Sequence, residues 1–357
     1  MSKKVRILSL DGGGIRGVIP ATVLKYVEEE LQKKSGKPNA RLADYIDLVA
    51  GTSTGGILGC FYLVPNDASE PNAPSAKYTT QEALDFYAKE GYNIFNKSKR
   101  STWLGLRQLF NATQYKPNAL EQIFKKEFGE LKLSELMRKC LVTTYNMKAT
   151  APFFFDSREA PSKNREFYVR DVTRSTSAAP TYFPPADITN LATGEQMVNI
   201  DGGVFANDPT MVAYTECRKT NFPQINQPTA KDMLILSIGT GGGQFQMKKL
   251  GNSGQWWVGK WATYIPNIMM DGALDTVTTQ MRWIYESLEQ EDKSNYLRVD
   301  VPEDYVKDYS SDMADASPDN ITKLQKAGQA AVDEARKNGL DTLIQKLIDN
   351  SPDEPVV

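Results

Sequence analysis

The group best suited to nucleophilic chemistry in this chain is the hydroxyl of Ser53, at the centre of the Gly-x-Ser-x-Gly pattern Gly51-Thr52-Ser53-Thr54-Gly55. In a nucleophile elbow of this pattern, a strand turns so sharply into a helix that the serine lies at the exposed tip. Gly51 and Gly55 lack the Cβ atoms that would clash where strand and helix meet. The pattern therefore predicts a strand, a strained turn and a helix around Ser53; a glycine-rich loop with a chance serine is the alternative.

The chain contains no histidine, so a base of another type must activate the serine. This excludes a Ser-His-Asp triad and any histidine metal ligand. Asp201 is the candidate base, because it follows the short apolar stretch Val198-Asn199-Ile200 and precedes two glycines. An aspartate can accept the serine proton when it reaches the hydroxyl, although a structural turn is the alternative for any Asp-Gly-Gly. Since a free aspartate titrates near about 4, this base predicts activity at lower pH than a histidine would allow.

A second glycine-rich stretch, Asp11-Gly12-Gly13-Gly14-Ile15-Arg16-Gly17, is called the glycine loop below. It lies between a predicted strand at Val5–Leu10 and a predicted helix at Val18–Lys33. Free backbone N–H groups at the positive end of a helix dipole favour an anion. The loop is therefore a candidate oxyanion hole for a tetrahedral intermediate, with donors from Gly12, Gly13 and Gly14.

The glycine loop also matches a dinucleotide fingerprint, through the spacing Gly12-x-Gly14-x-x-Gly17. That fingerprint requires an acidic residue at the end of a second strand about 20 residues further on, and here the acidic residues at that distance fall inside the predicted first helix. The oxyanion interpretation is favoured because the Ser53 elbow follows on the next predicted strand. Arg16 could add positive charge to the hole or to a lipid phosphate, or could simply be solvated in the first turn of the helix.

Short apolar runs alternate with helical patterns along the chain, which predicts an α/β fold with a mostly parallel central sheet flanked by helices. In such sheets the site lies at the carboxyl ends of the strands. Further strands are predicted at the end of 44–50 and at 140–146, 152–155, 198–200 and 233–238. Further helices are predicted at 82–95, 118–128, 133–138, 173–185 and 321–350.

Two segments have compositions that suggest contacts beyond the central sheet. Residues 96–116 interleave basic and aromatic side chains, which fits a membrane-facing segment or lid, or a segment packed on the core with its charges in water. Residues 256–270 form an aromatic-rich helical stretch. For this stretch a core or dimer contact is favoured over a wall for an acyl chain.

Composition places the chain among ordinary globular proteins, with 357 residues, 40% hydrophobic and 24% charged. The net charge of −2 gives no electrostatic argument for a nucleic-acid partner. Three widely separated cysteines argue against a disulfide framework or a zinc site. The N-terminal apolar run is too short for a signal peptide, and no stretch approaches the roughly 20 apolar residues that span a bilayer. A cytoplasmic protein is therefore expected, unless it is exported by a route that needs no signal peptide.

The glycine loop, the Ser53 elbow and Asp201-Gly202-Gly203 occur in this order, and together they resemble the patatin-like phospholipase family. The resemblance to plant patatins extends over roughly Val5 to Asp333 and includes four further segments: 21–24, 177–185, 236–241 and 295–299.

The resemblance implies a single α/β domain over residues 1–357, with a core at about 5–333 and a C-terminal helix and short frayed tail at 334–357. It implies a dyad in which Ser53 is the nucleophile and Asp201 the base, with an oxyanion region formed by Gly12, Gly13, Gly14 and Arg16. The implied reaction is hydrolysis of acyl esters of phospholipids, galactolipids or lysophospholipids in membranes or micelles, without metal or cofactor. A homodimer is possible.

Three other functions stay open at this point. The first is an antiphage effector, since some bacterial members of the family degrade membranes when cyclic dinucleotides activate them. The plant members carry a secretory signal that this chain lacks, which leaves its location and physiological role open. A non-catalytic storage role is a second alternative, although the intact serine and aspartate motifs argue against it. A nucleotide-binding module that uses the glycine loop for phosphate, with Ser53 incidental, is the third.

Overall fold

The computed structural model describes residues 3–66, 75–94, 117–242 and 258–351. In this part of the chain eight strands form one sheet in the order β10-β9-β1-β2-β3-β6-β5, with β4 paired to β3. A two-strand hairpin, β7 and β8, stands apart from it. The strands are β1 Val5–Leu10, β2 Leu48–Gly51, β3 Lys139–Asn146, β4 Ala151–Asp156, β5 Ala186–Thr189, β6 Gln196–Asp201, β7 Asn221–Phe222, β8 Ile225–Asn226, β9 Met233–Ile238 and β10 Tyr296–Val299.

The helices flank both faces of this sheet. They are α1 Val18–Ser35, α2 Thr54–Tyr62, α3 Thr80–Ile94, α4 Pro117–Phe128, α5 Val169–Thr176, α6 Gly203–Ala206, α7 Thr210–Lys219, α8 Val258–Glu286, α9 Gln290–Lys293, α10 Glu303–Val306, α11 Pro318–Lys337 and α12 Leu340–Asp349.

The five strands β10, β9, β1, β2 and β3 run parallel, and the antiparallel pairs lie at the β3 side of the sheet. Strands β1, β2 and β9 are buried along their whole length, as expected when helices cover both faces. The predicted α/β fold with a mostly parallel sheet is confirmed.

Side-chain alternation along β1 divides the core into two layers. Leu8 and Leu10 pack in the larger layer with side chains of α1, α2, α11 and α12. Val5 and Ile7 point to the opposite face and pack with side chains of α7 and α8. The sheet is therefore held from both sides, which fixes the positions of its strand ends.

Strand register brings the predicted site residues to one edge of the sheet. Leu10 pairs with Gly51, so the glycine loop and the elbow leave adjacent parallel strands at the same level. Strand β6 runs antiparallel to β3, and its last residue, Asp201, pairs with Thr144. Gly51 pairs with Val142 on the same strand β3. Asp201 therefore returns to the edge from which the elbow leaves.

Two predicted helices are wrong in extent. The helix predicted at Leu133–Arg138 is only a 3₁₀ turn at Leu133–Glu135, because the chain becomes extended at the next residue before it enters β3. The helix predicted at Thr173–Pro185 corresponds to α5, which begins four residues earlier and ends at Thr176. Pro180 has no N–H to donate to the Thr176 carbonyl, so the helix does not continue through it.

One further local prediction is corrected at the C-terminus, and α1 contains a buried acidic residue. Glu28, in α1, accepts hydrogen bonds from the backbone N–H groups of Leu42 and Thr80, at 2.9 Å and 3.1 Å. The single helix predicted at Ile321–Asn350 is two helices, α11 and α12. Gly339, at φ +103°, separates them, because this conformation does not continue a right-handed helix.

For the aromatic-rich stretch at 256–270, the sequence favours a core or dimer contact; the core position is wrong for the exposed side chains, and the dimer contact stays a prediction. The exposed side chains are Trp261, Ile265, Ile268 and Met269. Trp256 and Trp257 lie outside the described residues. The same holds for the segment 96–116 and for the tail beyond Ser351. Among the helices that are described, none has the length and apolarity that a bilayer crossing requires.

Candidate active site

Ser53 lies at the turn between β2 and α2 in a backbone conformation that non-glycine residues rarely adopt, at φ +53° and ψ −122°. The turn is tight: a Cβ atom added to Gly55 would lie 2.1 Å from the Leu10 carbonyl oxygen, and one added to Gly51 would lie 2.4 Å from the Gly55 carbonyl oxygen. The structure therefore contains the strand, strained turn and helix expected around Ser53, and backbone crowding requires glycine on both sides.

Hydrogen bonds hold the elbow in place. The Ser53 N–H donates to Thr176 Oγ1 at 2.8 Å, which connects the turn to the end of α5. On the following residue, the Thr54 hydroxyl bonds to the Tyr87 hydroxyl, which also donates to the Thr54 carbonyl at 3.1 Å. These contacts restrain Ser53 at the N-terminus of α2, where the helix dipole favours negative charge. Sequence reasoning did not identify Thr176 or Tyr87, because both come from other helices.

Asp201, the last residue of β6, lies in the same cavity as Ser53, and both side chains are buried. The Asp201 Oδ1 atom accepts a hydrogen bond from the Gly203 N–H at 2.7 Å, which fixes the orientation of the carboxylate. The Ser53 side chain is close enough to lower the pKa of Asp201 as a donor, although no short, well-aligned hydrogen bond joins the two groups. Such hydrogen bonds commonly tighten only when substrate binds.

Burial raises the pKa of Asp201 to about 7, even though donation from Ser53 and from the Gly203 N–H lowers it. Desolvation dominates because the charged carboxylate loses water that two donors do not replace. This overturns the expectation of an aspartate that titrates near its free value. Asp201, the candidate base, therefore changes protonation state near neutral pH, as a histidine would.

The backbone amides of the glycine loop divide into engaged and unengaged donors. The Gly12 N–H donates to the Asn207 carbonyl at 3.0 Å, and the Ile15 N–H donates to the Met313 carbonyl at 2.9 Å. The N–H groups of Gly13 and Gly14 have no acceptor among the described residues. Gly13 and Gly14 line the cavity that contains Ser53. The two unengaged amides are thus the candidates for oxyanion donors.

Close packing explains the glycines at these loop positions. A Cβ atom at Gly12 would lie 2.4 Å from Asn207 Oδ1 and 3.3 Å from the Ser53 Cβ. One at Gly13 would lie 2.4 Å from the hydroxyl oxygen of Thr240, which donates to the Gly12 carbonyl at 2.8 Å. Gly14 adopts φ +60°. Thr240 therefore supports the loop from the end of β9, a role that its Gly-Thr-Gly context did not reveal.

Arg16 is buried, so the solvated alternative is excluded. Its Nε donates to the Gly13 carbonyl at 3.4 Å, and burial lowers the pKa of its guanidinium against the raising effect of Tyr309 and Asp271. Arg16 is not among the side chains that line the cavity with Ser53. Its contact with the glycine loop is thus made through the backbone of Gly13, and a direct role at the oxyanion stays a prediction.

Behind the glycine loop, one guanidinium is surrounded by three carboxylates. Arg298 contacts Asp11 at 2.5 Å, Asp300 at 2.8 Å and Asp208 at 3.4 Å. Burial raises the pKa of Asp11 well above its usual range, although Arg298 opposes this effect. Only the charge on Arg298, in the patatin-like segment 295–299, could have drawn attention to this cluster, and its partners are distant in sequence.

The cavity beside Ser53 is lined mainly by apolar side chains from several helices and loops. It encloses about 680 Å³ of empty space, its open mouth included. Its polar members include Ser53, Asp201 and Ser177. An apolar pocket with a few convergent polar groups suits a largely hydrocarbon ligand with one reactive group. The apolar and aromatic side chains are Ile57, Phe86, Tyr87, Ile94, Leu120, Phe124, Ala179, Tyr182, Phe183, Met270 and Met313.

Comparison with known proteins gives concordant matches. The profile of the patatin-like phospholipases matches residues 8–214, more than half of the chain. Patatin-like protein 4 of Arabidopsis thaliana is 32% identical over 97% of this chain and 89% of its own length. Patatin-like protein 1 of the same plant is 31% identical over 99% of this chain and 85% of its own. Patatin-17 of Solanum cardiophyllum is 31% identical over 92% of this chain and 84% of its own length.

Proposed function

The chain belongs to the patatin-like phospholipase family, and from this premise we propose that it hydrolyses fatty-acyl esters of phospholipids with Ser53 as nucleophile and Asp201 as base. The observation that carries the proposal is the convergence of four groups on one apolar cavity: the Ser53 hydroxyl, the Asp201 carboxylate and the unengaged N–H groups of Gly13 and Gly14. Galactolipids and lysophospholipids present the same ester chemistry and are included in the substrate class.

In the first half of the proposed reaction, the Asp201 carboxylate accepts the proton of the Ser53 hydroxyl while Oγ attacks the ester carbonyl carbon. The carbonyl oxygen becomes an oxyanion that accepts hydrogen bonds from Gly13 and Gly14. When the tetrahedral intermediate collapses, the bond to the leaving alkoxide breaks and Asp201 returns the proton to that oxygen. The products of this half are a free alcohol and an acyl ester of Ser53.

In the second half, water attacks the acyl carbon and gives its proton to Asp201. The oxyanion forms again and collapses, the bond between Ser53 Oγ and the acyl carbon breaks, and the proton returns to Oγ. Fatty acid is released and the dyad is restored. A base whose pKa is about 7 is well matched to these transfers, because it is available at neutral pH and still basic enough to accept the proton.

The apolar cavity supports a long acyl chain as the part of the substrate that the protein binds. Aromatic and aliphatic side chains of α2, α3 and α4 form walls next to Ser53. A chain that enters between these helices would place its ester carbonyl at the polar end, beside Ser53 and the glycine loop. The proposed reaction requires neither a metal nor an organic cofactor, and we propose that it takes place at a membrane or micelle surface.

The nucleotide alternative has less support from the glycine loop. A diphosphate site uses several consecutive backbone amides, whereas the Gly12 and Ile15 amides donate to Asn207 and Met313. A Cβ atom added to Gly14 would lie 2.4 Å from the Met313 carbonyl oxygen. The loop is thus packed against protein on two sides, and the two residues with unengaged amides, Gly13 and Gly14, line the Ser53 cavity.

Fatty-acid release from phospholipid vesicles and turnover of a short-chain p-nitrophenyl ester test the proposed function. The wild-type chain should hydrolyse both, and Ser53→Ala should hydrolyse neither. Ser177→Ala is the matched control, because Ser177 lines the same cavity but donates its hydroxyl to the Thr173 carbonyl at 2.7 Å. Loss of activity in the control to the same degree as in Ser53→Ala would contradict the assignment of the nucleophile.

A further inference from the structure

The side chain of Asn207 places an amide oxygen beside the candidate dyad. Asn207 directly follows α6, the short helix after Asp201, and is buried. Its backbone carbonyl accepts the Gly12 N–H at 3.0 Å, and its side-chain Nδ2 donates to the Gly12 carbonyl at 3.4 Å. These two hydrogen bonds join Asn207 to the glycine loop and so determine where its Oδ1 atom lies.

The Oδ1 atom of Asn207 is buried and has no hydrogen-bond partner among the described residues. An unsatisfied buried acceptor destabilises the folded state, so it needs an explanation. The opposite orientation of the amide would not remove the problem, because Oδ1 would then face the Gly12 carbonyl oxygen and two acceptors would meet. The side chain therefore points to a donor that arrives during function.

Two glycines show how close this oxygen lies to both members of the candidate dyad. A Cβ atom on Gly12 would lie 2.4 Å from Asn207 Oδ1 and 3.3 Å from the Ser53 Cβ. A Cβ atom on Gly203 would lie 3.1 Å from Asn207 Oδ1 and 3.2 Å from Asp201 Oδ1. A small molecule at this place can therefore contact the amide oxygen and the carboxylate at once, next to Ser53.

The surroundings of this place limit what the donor can be. The terminal methyl group of Met270 lies 3.2 Å from the same Cβ position on Gly203 and so bounds the space on a third side. Asn207 is not among the residues that line the apolar cavity, so its oxygen is not placed to contact an acyl chain. Water is a donor small enough for this position.

The proposed reaction includes one reactant with two O–H groups, and that reactant is water. In the first half, the Ser53 hydroxyl has a single proton, which goes to Asp201, and the leaving alkoxide has none. In the second half, water gives one proton to Asp201 and keeps the other, which also needs an acceptor in a buried site. A second acceptor beside the base therefore serves deacylation and not acylation.

We propose that Asn207 Oδ1 accepts a hydrogen bond from the hydrolytic water and, together with Asp201, orients it toward the acyl carbon on Ser53. This inference rests on the proposed function, because it requires an acyl ester of Ser53. As the water oxygen bonds to the acyl carbon, one of its O–H bonds breaks and that proton goes to Asp201. The other proton stays on the oxygen, donates to Asn207 and leaves with the product acid. The bond from the acyl carbon to Ser53 Oγ breaks, and Asp201 returns its proton to Oγ.

Competition between water and methanol for the acyl-enzyme tests this role. Methanol attacks with a single O–H group, whose proton goes to Asp201, so it does not use Asn207. With a soluble p-nitrophenyl ester in aqueous methanol, Asn207→Leu should therefore raise the ratio of methyl ester to free acid by about tenfold, the effect of one lost hydrogen bond on attack by water. Asn207→Asp keeps an acceptor oxygen and should restore the wild-type ratio.

Thr240→Val is the matched control. Thr240 Oγ1 donates to the Gly12 carbonyl at 2.8 Å, and Asn207 Nδ2 donates to the same oxygen, so each substitution removes one hydrogen bond from the glycine loop. Only Asn207→Leu also removes the acceptor beside the dyad. A displaced loop slows attack by water and by methanol alike, so Thr240→Val should keep the wild-type ratio even where its turnover falls.

The product ratio counts only molecules that have been acylated, so a partly unfolded variant still reports it. Should Asn207→Leu not fold, Asn207→Ser provides the same comparison, because its shorter side chain does not reach the position of Oδ1. Without methanol, Asn207→Leu should release a burst of p-nitrophenol and accumulate acyl-Ser53, detected by intact mass spectrometry.

Equal product ratios in wild type, Asn207→Leu and Thr240→Val would overturn the proposal and leave Asn207 as a structural contact of the glycine loop. An equal rise in both variants, or a raised ratio in Asn207→Asp, would overturn it as well. Failure of the proposed function has a different signature: the wild-type chain itself would form neither product, and no acyl group would appear on Ser53.

Discussion

The guanidinium of Arg298 donates to both carboxylate oxygens of Asp11, at 2.9 Å and 2.5 Å, and thereby fixes the first residue of the glycine loop to β10. The same guanidinium also donates to the carboxylate of Asp208. Asp208 directly follows Asn207, whose carbonyl accepts the Gly12 N–H. One cation therefore connects the loop that contains the proposed oxyanion donors with the segment that follows Asp201. This arrangement makes Arg298 a positioning residue for the site, although it does not line the cavity.

Replacement of Arg298 by methionine should destabilise the protein by about 3–5 kcal/mol, because it leaves buried carboxylates without their counter-ion. The loss should be larger at pH 8 than at pH 5, since protonation at lower pH removes part of the uncompensated charge. Thermal unfolding at both pH values measures this. Arg282→Met is the control: Arg282 forms an exposed pair with Glu286 at 3.9 Å, which should contribute less than about 1 kcal/mol. Equal losses in the two variants would contradict the role given to Arg298.

The pH dependence of turnover should show an acidic limb near 7. Burial raises the pKa of Asp201 to about 7, and only its deprotonated form can accept the Ser53 proton, so kcat/KM should rise with pH through that value. Turnover of a soluble ester, measured over the pH range in which the protein stays folded, reports this limb. A limb near about 4, the value of a free aspartate, would show that Asp201 is solvated or is not the base.

The same pKa makes a prediction about stability. Folding raises the pKa of Asp201 from about 4 to about 7, so the folded state binds this proton more tightly and the free energy of unfolding falls as pH rises through that interval. Asp201→Asn removes this effect and keeps an oxygen for the Gly203 N–H. Relative to wild type, the variant should therefore gain up to about 4 kcal/mol between pH 4 and pH 8, at about 1.36 kcal/mol per pKa unit.

Denaturant unfolding of wild type and Asp201→Asn at the two pH values measures this difference. Other titrating groups are common to both proteins and cancel in the comparison. Parallel stability curves for the two proteins would contradict a strongly raised pKa at Asp201.

Gly13→Ala should reduce kcat by about 10²–10³, the usual effect of losing one oxyanion donor. The new Cβ would lie 2.4 Å from the Thr240 hydroxyl oxygen, so the loop must move and displace the Gly13 N–H from the cavity. Gly272→Ala is a matched control, because a Cβ at that exposed helix position meets nothing within 4 Å. Steady-state kinetics with a soluble ester compare them. Near-normal kcat in a folded Gly13→Ala protein would remove Gly13 from the oxyanion hole.

Local sequence signals predicted part of this architecture and missed what depends on distant contacts. Strands β1 and β9 have the predicted bounds, because each is a mostly apolar run that ends at a glycine-rich turn. Asp11 and Arg298 are 287 residues apart, and no local pattern indicates that they meet. The pKa of Asp201 could not be predicted either, because it depends on how completely the folded chain removes water from that carboxylate.

The glycine loop shows the same limit within one motif. From the three consecutive glycines, three equivalent N–H donors were predicted. In the structure the Gly12 N–H already donates to the Asn207 carbonyl, a contact that the sequence does not indicate. Likewise, the spacing of apolar residues predicted the helix that became α8. It did not predict that Trp261 and Ile265 would face away from the core. Periodicity identifies which residues share one face of a helix, but it does not identify what that face contacts.

Covalent labelling with a fluorophosphonate, mapped by peptide mass spectrometry, tests most directly whether Ser53 is a nucleophile activated by Asp201. The probe should label Ser53 in the wild-type chain and should not label Ser53→Ala. It should react with Asp201→Asn at a strongly reduced rate and with Ser177→Ala at the normal rate. Undiminished labelling of Ser53→Ala, or equal rates for wild type and Asp201→Asn, would contradict the dyad.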